Sequence, residues 1–204
     1  MKEIDMTADK RRKHFEYFQG FANPYTSVTV PCDITPLMGR RPFFLHLLYC
    51  AIRAANAVPE LRRRIIDGRV VEFDSCPSSH TVALPDGTYC YCELDCDKPF
   101  ADFLPYAQAK VERAKASGAL DDAQPDRLFF VTSLPWLSFT AISLPTPFPP
   151  DSNPRITFGK AYEHDGRYLV PVNLTVNHAL VDGLGMAEFF RALEDNCRSL
   201  PSEG

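Results

Sequence analysis

Val172-Asn173-Leu174-Thr175-Val176-Asn177-His178-Ala179-Leu180-Val181-Asp182-Gly183 reads as an apolar strand that ends in a histidine. An aspartate follows four residues later with a glycine directly after it, and helical residues run on from Met186 to Leu193. A histidine at the end of a buried strand can project into a cleft as a general base. The aspartate, just past the turn, can fold back to a cation and lock the turn. The glycine is expected to supply a backbone angle that other residues resist. The spacing alone is common. Its position after a strand, before a helix and near the C-terminus gives it weight.

Outward from this stretch, helices and strands alternate early and strands dominate later. Residues 8 to 19 read as a helix with Phe15 and Phe18 on one face. Ser27 to Val30 reads as a strand. From Pro42 to Ala57, the side chains Phe43, Phe44, Leu47, Leu48, Ala51, Ile52 and Ala55 recur at helical spacing. Residues 60 to 66 read as short helical or irregular chain. Asp67-Gly68 then turns into a strand at 69 to 73. Pro85-Asp86-Gly87 joins two strands, 81 to 84 and 88 to 93, as a hairpin. A helix is expected from about Pro99 to Ala116, then a polar loop at 121 to 126. Strands are expected at 128 to 131, 137 to 144, 155 to 160 and 168 to 176, with Asp165-Gly166 turning between the last two. The prolines at 147, 149, 150 and 154 make residues 146 to 154 a loop. Residues 185 to 198 form the closing helix. The pattern is mixed α/β, with helices packed on a mixed sheet.

The bulk properties agree. A chain of 204 residues fits one domain, residues 1 to 204, with a substantial core. The net charge of -4 argues against nucleic acid as a partner. No apolar run approaches the length that spans a bilayer. Met1-Lys2-Glu3-Ile4-Asp5 lacks an apolar signal core, so the expected location is cytoplasmic. Seven cysteines spread along the chain suit reduced thiols. Cys90, Cys92 and Cys96 invite a metal reading. Without a second paired set, packed or semi-exposed thiols suit that spacing better, and no metal is expected.

The motifs together resemble the chloramphenicol acetyltransferase family, within the CoA-dependent acyltransferases that carry His-x-x-x-Asp-Gly. Besides His178, Asp182 and Gly183, the segment Arg11-Arg12-Lys13-His14-Phe15-Glu16 looks like the family's Arg-x-x-His-Phe-Glu. Cys32-Asp33-Ile34-Thr35 looks like its Asp-Ile-Thr strand end, and Phe129 to Thr140, with Pro135-Trp136, like its Pro-Trp strand. Ile156-Thr157-Phe158-Gly159-Lys160 precedes the histidine strand as in the family. The matches fall in one order over nearly the whole chain.

The resemblance implies a two-layer α+β fold and direct transfer of acetyl from acetyl-CoA, the co-substrate, to an acceptor hydroxyl. His178 is then the general base, since an ordinary imidazole titrates near neutrality. Thr132 takes the place of a serine that stabilises the oxyanion, with Ser133 and Ser138 as nearby competitors. Asp182 is implied to pair with Arg11, or with the adjacent Arg12, in a buried pair. Thr157, Leu144, Tyr89 and Thr26 are implied to line the acceptor pocket. Arg40, Arg41 and Arg62-Arg63-Arg64 are candidates for the CoA phosphates, against a solvated helix end as the plainer reading of the triple run. The family forms trimers with each site between subunits, which implies a homotrimer here. Asn177 departs from the paired histidines usual in drug-resistance members, which weakens chloramphenicol as the acceptor. His14 and His46 read as packing or surface residues. Rival readings are an acyltransferase for another hydroxyl or amine, and a catalytically silent binding protein of the same fold.

Overall fold

The computed structural model describes residues 1–120 and 122–201, so Asp121 of the expected polar loop lies outside the described residues. The ten strands are β1 (Lys2–Ile4), β2 (Tyr25–Asp33), β3 (Arg63–Ile66), β4 (Arg69–Glu72), β5 (Ser78–Ala83), β6 (Tyr89–Leu94), β7 (Phe129–Ser133), β8 (Arg155–Phe158), β9 (Tyr162–His164) and β10 (Arg167–Asn177). The helices are α1 (Arg12–Phe18), α2 (Phe43–Ala57), α3 (Phe100–Ser117) and α4 (Gly183–Ser199). Short 3-10 turns at Thr35–Leu37, Pro59–Arg62 and Pro125–Arg127 join them.

The main sheet runs β2-β10-β8-β7-β5-β6, with β9 continuing the β8 side of β10. β7 pairs in parallel with both β5 and β8, and the other neighbours are antiparallel. β1, β4 and β3 form a separate small sheet. Alternation sorts the faces of β10. Val170, Val172, Leu174 and Val176 join one apolar core with α2 and α4, while Asn173, Thr175 and Asn177 occupy the opposite face. Those three polar side chains are buried as well and need partners. Asn173 Nδ2 donates to Ser27 Oγ at 2.9 Å and to Thr29 Oγ1 at 3.0 Å. The Thr175 hydroxyl donates to Asn173 Oδ1 at 3.0 Å.

Asp67-Gly68 and Asp165-Gly166 each turn the chain. Asp67 and Gly68 have φ of 49° and 76°, and Asp165 and Gly166 have 49° and 74°. Two consecutive positive φ values match the twist of the strands they join. The second pair joins β9, not β8, to β10. The strand expected at 137 to 144 is absent. Residues 134–154 run without regular structure, mostly at the surface but with Ser152 and Asn153 buried, and are studded with prolines that lack an amide donor.

The three arginines at 62 to 64 are neither a solvated helix end nor free for phosphates. Arg64 is 1% exposed, and its guanidinium donates to the carbonyls of Leu61, Arg63 and Leu128. Arg63 pairs with Glu72 and Asp9, and Arg62 donates to the Phe73 carbonyl. Arg40 is also engaged, at the carbonyls of Leu200 and Pro201 beyond α4. Each places its charge on backbone carbonyls or carboxylates of the fold.

Candidate active site

β10 carries His178 out of the sheet. Its amide donates to the Pro24 carbonyl at 2.8 Å, so the ladder with β2 persists one residue beyond Asn177. The chain then turns, and the amides of Leu180 and Val181 both reach the Asn177 carbonyl, at 3.0 and 3.1 Å. Asn177 also fixes the turn with its side chain. Its Oδ1 accepts from Ala179 N at 3.0 Å, and its Nδ2 donates to the Asp151 carbonyl at 3.0 Å. The residue that departs from the paired histidines is thus fully used as a turn brace.

His178 Nδ1 lies 2.9 Å from the Val181 carbonyl oxygen. A carbonyl has only lone pairs to offer, so in the neutral ring Nδ1 carries the proton and Nε2 keeps its lone pair. The ring stacks on Phe18, with centroids 4.1 Å apart and planes 22° from parallel. Phe18 ends α1, whose start is preceded by Arg11. The two stand seven residues apart, two helical turns, so one helix face presents both to the histidine turn. Helical spacing alone puts Phe18 on a packing face and does not single out this contact.

Arg11, not Arg12, meets Asp182: the Arg11 guanidinium donates to Asp182 Oδ2 and, at 3.3 Å, to the His178 carbonyl. Arg12 pairs with Glu16 on the outer face of α1. Asp182 Oδ1 accepts from Leu184 N at 3.0 Å and Gly185 N at 3.4 Å, capping α4. Burial pushes the Asp182 carboxyl up, but the Arg11 charge and the two capping amides outweigh it and hold it below its ordinary value. The pair is half-buried, not buried: the Arg11 side chain is 10% exposed and that of Asp182 44%. Gly183 also differs from expectation. It is absent from the glycines with positive φ, and a Cβ there would meet nothing within 4 Å. The extended Asp182 makes the turn, and Gly183 simply opens α4.

His178, Thr26 and Gly183 border one cavity of about 360 Å³, walled also by Met186 and Phe190. Thr132, Leu144 and Tyr89 border another of about 360 Å³, with Phe130 and Arg155. Neither Ser133 nor Ser138 borders it. Thr157 is fully buried with no partner for its hydroxyl, beside Thr132 in register. The two groups are far apart within one chain. Thr132 is in register with Thr157, and Thr157 with Asn173. His178 lies five residues further along the chain from Asn173, about 16 Å at a strand rise of about 3.3 Å, before the offset of two strands is added.

All seven cysteines are unpaired and buried. Burial pushes the Cys92 thiol up to about 11 and raises that of Cys96 as well. Among the described residues no group of three His, Cys, Asp or Glu side chains is arranged to hold a metal ion. His46 is buried, with Nδ1 2.9 Å from the Pro42 carbonyl, and His14 is exposed on α1. Among the described residues no helix is long and apolar enough to cross a membrane.

Comparison with known proteins gives one answer. The family model described as chloramphenicol acetyltransferase matches residues 1–194. The chain is 28% identical over 203 residues to a chloramphenicol acetyltransferase of Klebsiella, covering 95% of this chain and 92% of that one. It superposes on a solved chloramphenicol acetyltransferase with a TM-score of 0.82 at 27% identity, covering 96% of this chain and 99% of the other. The cubic core of the pyruvate dehydrogenase multienzyme complex shares the fold, with a TM-score of 0.66 at 19% identity over 98% of this chain and 92% of that one.

Proposed function

The chain belongs to the chloramphenicol acetyltransferase family and is an acyltransferase, and we propose that it moves acetyl from acetyl-CoA directly to the hydroxyl of a small acceptor, with His178 as general base. The observation that carries this reading is the Nδ1 bond of His178 to the Val181 carbonyl, which leaves Nε2 as the proton acceptor at a cavity wall. Nε2 takes the acceptor's hydroxyl proton as the oxygen attacks the thioester carbonyl. The tetrahedral oxyanion takes a hydrogen bond from Thr132. It then collapses, the carbon–sulfur bond breaks, and the imidazolium returns its proton to the CoA sulfur. No covalent acyl-enzyme is needed, because holding both substrates in one complex supplies the orientation.

Arg11, Asp182 and the Phe18 ring act through the histidine by holding its turn and its plane. The separation of Thr132 from His178 supports sites completed between copies of the chain, in a homotrimer. Tyr89 and Leu144 are the acceptor-side residues in this reading, with Thr26 beside the base; Thr157, buried next to Thr132 in register, does not border either cavity. Seven unpaired thiols accord with a reducing compartment, the cytoplasm. Chloramphenicol is the first acceptor to test. The experiment is release of free CoA thiol from acetyl-CoA with chloramphenicol and with a panel of alcohols and amines. Turnover with a hydroxyl acceptor, abolished in His178→Ala, is expected. Turnover that survives His178→Ala, or confined to amines, overturns the reading.

A further inference from the structure

β5 and β7 pair over only three residues, Ser78–His80 against Phe129–Val131. Beyond that the strands part. Thr81, Val82 and Ala83 keep β6 as partner, while Thr132 and Ser133 keep β8. The sheet is forked there, and a cavity lies on each side of the fork. On one face is the cavity with Thr132 and Leu144. On the helix face a larger cleft of about 640 Å³ lies against α2 and α3, walled by Phe44, Leu45, Val82 and Val111. His80 and Thr81 border both.

The chemistry of the cleft is one-sided. Its walls are mostly apolar, with His80, Thr81 and Gln108 as polar exceptions, and the two charges that border it, Glu112 and Lys115, already pair with each other at 2.7 Å. Burial pushes the His80 imidazole down to about 4, against a bond to the Cys92 carbonyl, so the joint between the cavities is uncharged at neutral pH. Asp122 and Arg155 border the Thr132 cavity, and Arg155 is already paired with Asp151 at 2.7 Å. Each cavity falls in the range of small-molecule pockets, about 300–1,000 Å³.

We infer that the acceptor pocket continues through the β5–β7 fork into this cleft, and that the acceptor class is a hydroxyl compound with a long, uncharged apolar tail. The inference rests on the O-acetyltransfer reading for one point, that the hydroxyl end sits in the Thr132 cavity. The tail then threads past His80 and Thr81 and ends against Val111 and Phe44.

The test uses ω-phenylalkanols, from benzyl alcohol through 3-phenylpropanol to 6-phenylhexanol. Binding to the full-length protein is measured by titration calorimetry, beside thiol release with acetyl-CoA. Affinity is expected to rise about fourfold per added methylene, the value of burying one CH₂. In Val111→Phe and in Gln108→Trp, which fill the cleft from the core side and from the exposed face of α3, the rise with length is expected to flatten. Affinity that does not grow with length, or grows equally in both variants, overturns the inference. So does a length dependence that follows the acyl group of a series of acyl-CoA thioesters in place of the alcohol. Length-dependent binding without any thiol release leaves the cleft assignment standing and removes the acetyltransfer reading, so the two failures are told apart.

Discussion

Asp182 holds two things at once: the N-terminus of α4 through Oδ1 and the Arg11 guanidinium through Oδ2. Asparagine keeps the first task and loses the second, because it still caps a helix but carries no charge. Asp182→Asn leaves the nearly buried Arg11 without its counter-charge and loosens a guanidinium that also holds the His178 carbonyl. A fully buried pair broken from one side costs about 3–5 kcal/mol. With Asp182 44% exposed, solvent screens part of that, and a loss of about 1–3 kcal/mol is expected. The same charge has a pH signature. A carboxyl held below its unfolded value stabilises the fold above that unfolded value and loses the contribution as pH falls through the folded one. The variant should therefore lack part of the wild type's acid-side loss of stability, in urea titrations across the pH range below about 5. Activity should fall through displacement of the turn, and a crystal structure of an inactive variant with His178 unmoved would sink that account. His178 and Asp182 were legible in the sequence because spacing and residue type carry them, and Arg11 because the resemblance implies an arginine there, with Arg12 as its alternative. Phe18 was not, because a stacked ring and a core ring obey the same helical periodicity. Gly183 misled for the converse reason: a glycine marks freedom in the chain, but only coordinates show whether it is used.

Elements divide the same way. β10 and α4 were readable from apolar alternation and helical spacing, and the Asp-Gly turns from chemistry that permits two positive φ values. β1 and β9, three residues each, are too short to show a period. The strand expected at 137 to 144 has apolar residues enough, but a strand exists only with a partner, and no partner is visible in a local pattern. The irregular segment is instead anchored by scattered single bonds, among them Leu134 N to the Phe158 carbonyl and Asn177 Nδ2 to the Asp151 carbonyl. Lys160 N donates to the Leu137 carbonyl at 2.7 Å, beside Gly159, whose own amide donates to the Pro171 carbonyl. A Cβ on Gly159 would lie 2.9 Å from Phe139 Cε1, 3.0 Å from Leu137 O and 3.1 Å from Pro171 Cγ. The Phe139 ring can swing, but the Leu137 carbonyl belongs to the backbone that Lys160 holds. Gly159→Ala must push the segment off the sheet, an overpacking cost of about 1–3 kcal/mol. The check is the urea midpoint at constant slope, and an unchanged midpoint would show that the segment is not seated there.

At the scale of the whole molecule, the proposed site is divided. A base at His178 and an oxyanion donor at Thr132 must both stand within about 3 Å of one reacting centre, yet the sheet register holds them about 16 Å apart along β10 alone. In the proposed roles, one chain can therefore supply either end of a site but not both. Trp136, Leu137 and Phe148 are 72%, 58% and 90% exposed on the segment beyond β7, apolar surface of the kind that assembly covers. The proposed head-to-tail ring would give each copy both roles, base toward one neighbour and oxyanion donor toward the other. Complementation separates this from a site within one chain. His178→Ala and Thr132→Val protomers each make a nearly inactive homo-oligomer, Thr132→Val by roughly 100–1000-fold through loss of one donor. Co-expressed, they should regain roughly a quarter of wild-type turnover, the share of interfaces that join an intact base to an intact donor under random mixing. The recovered species should sediment at three times the 23.0 kDa chain. Activity in the mixture no greater than the two variants measured apart would return both residues to a single chain, and Thr132 would then be too distant to act on the carbonyl that His178 serves.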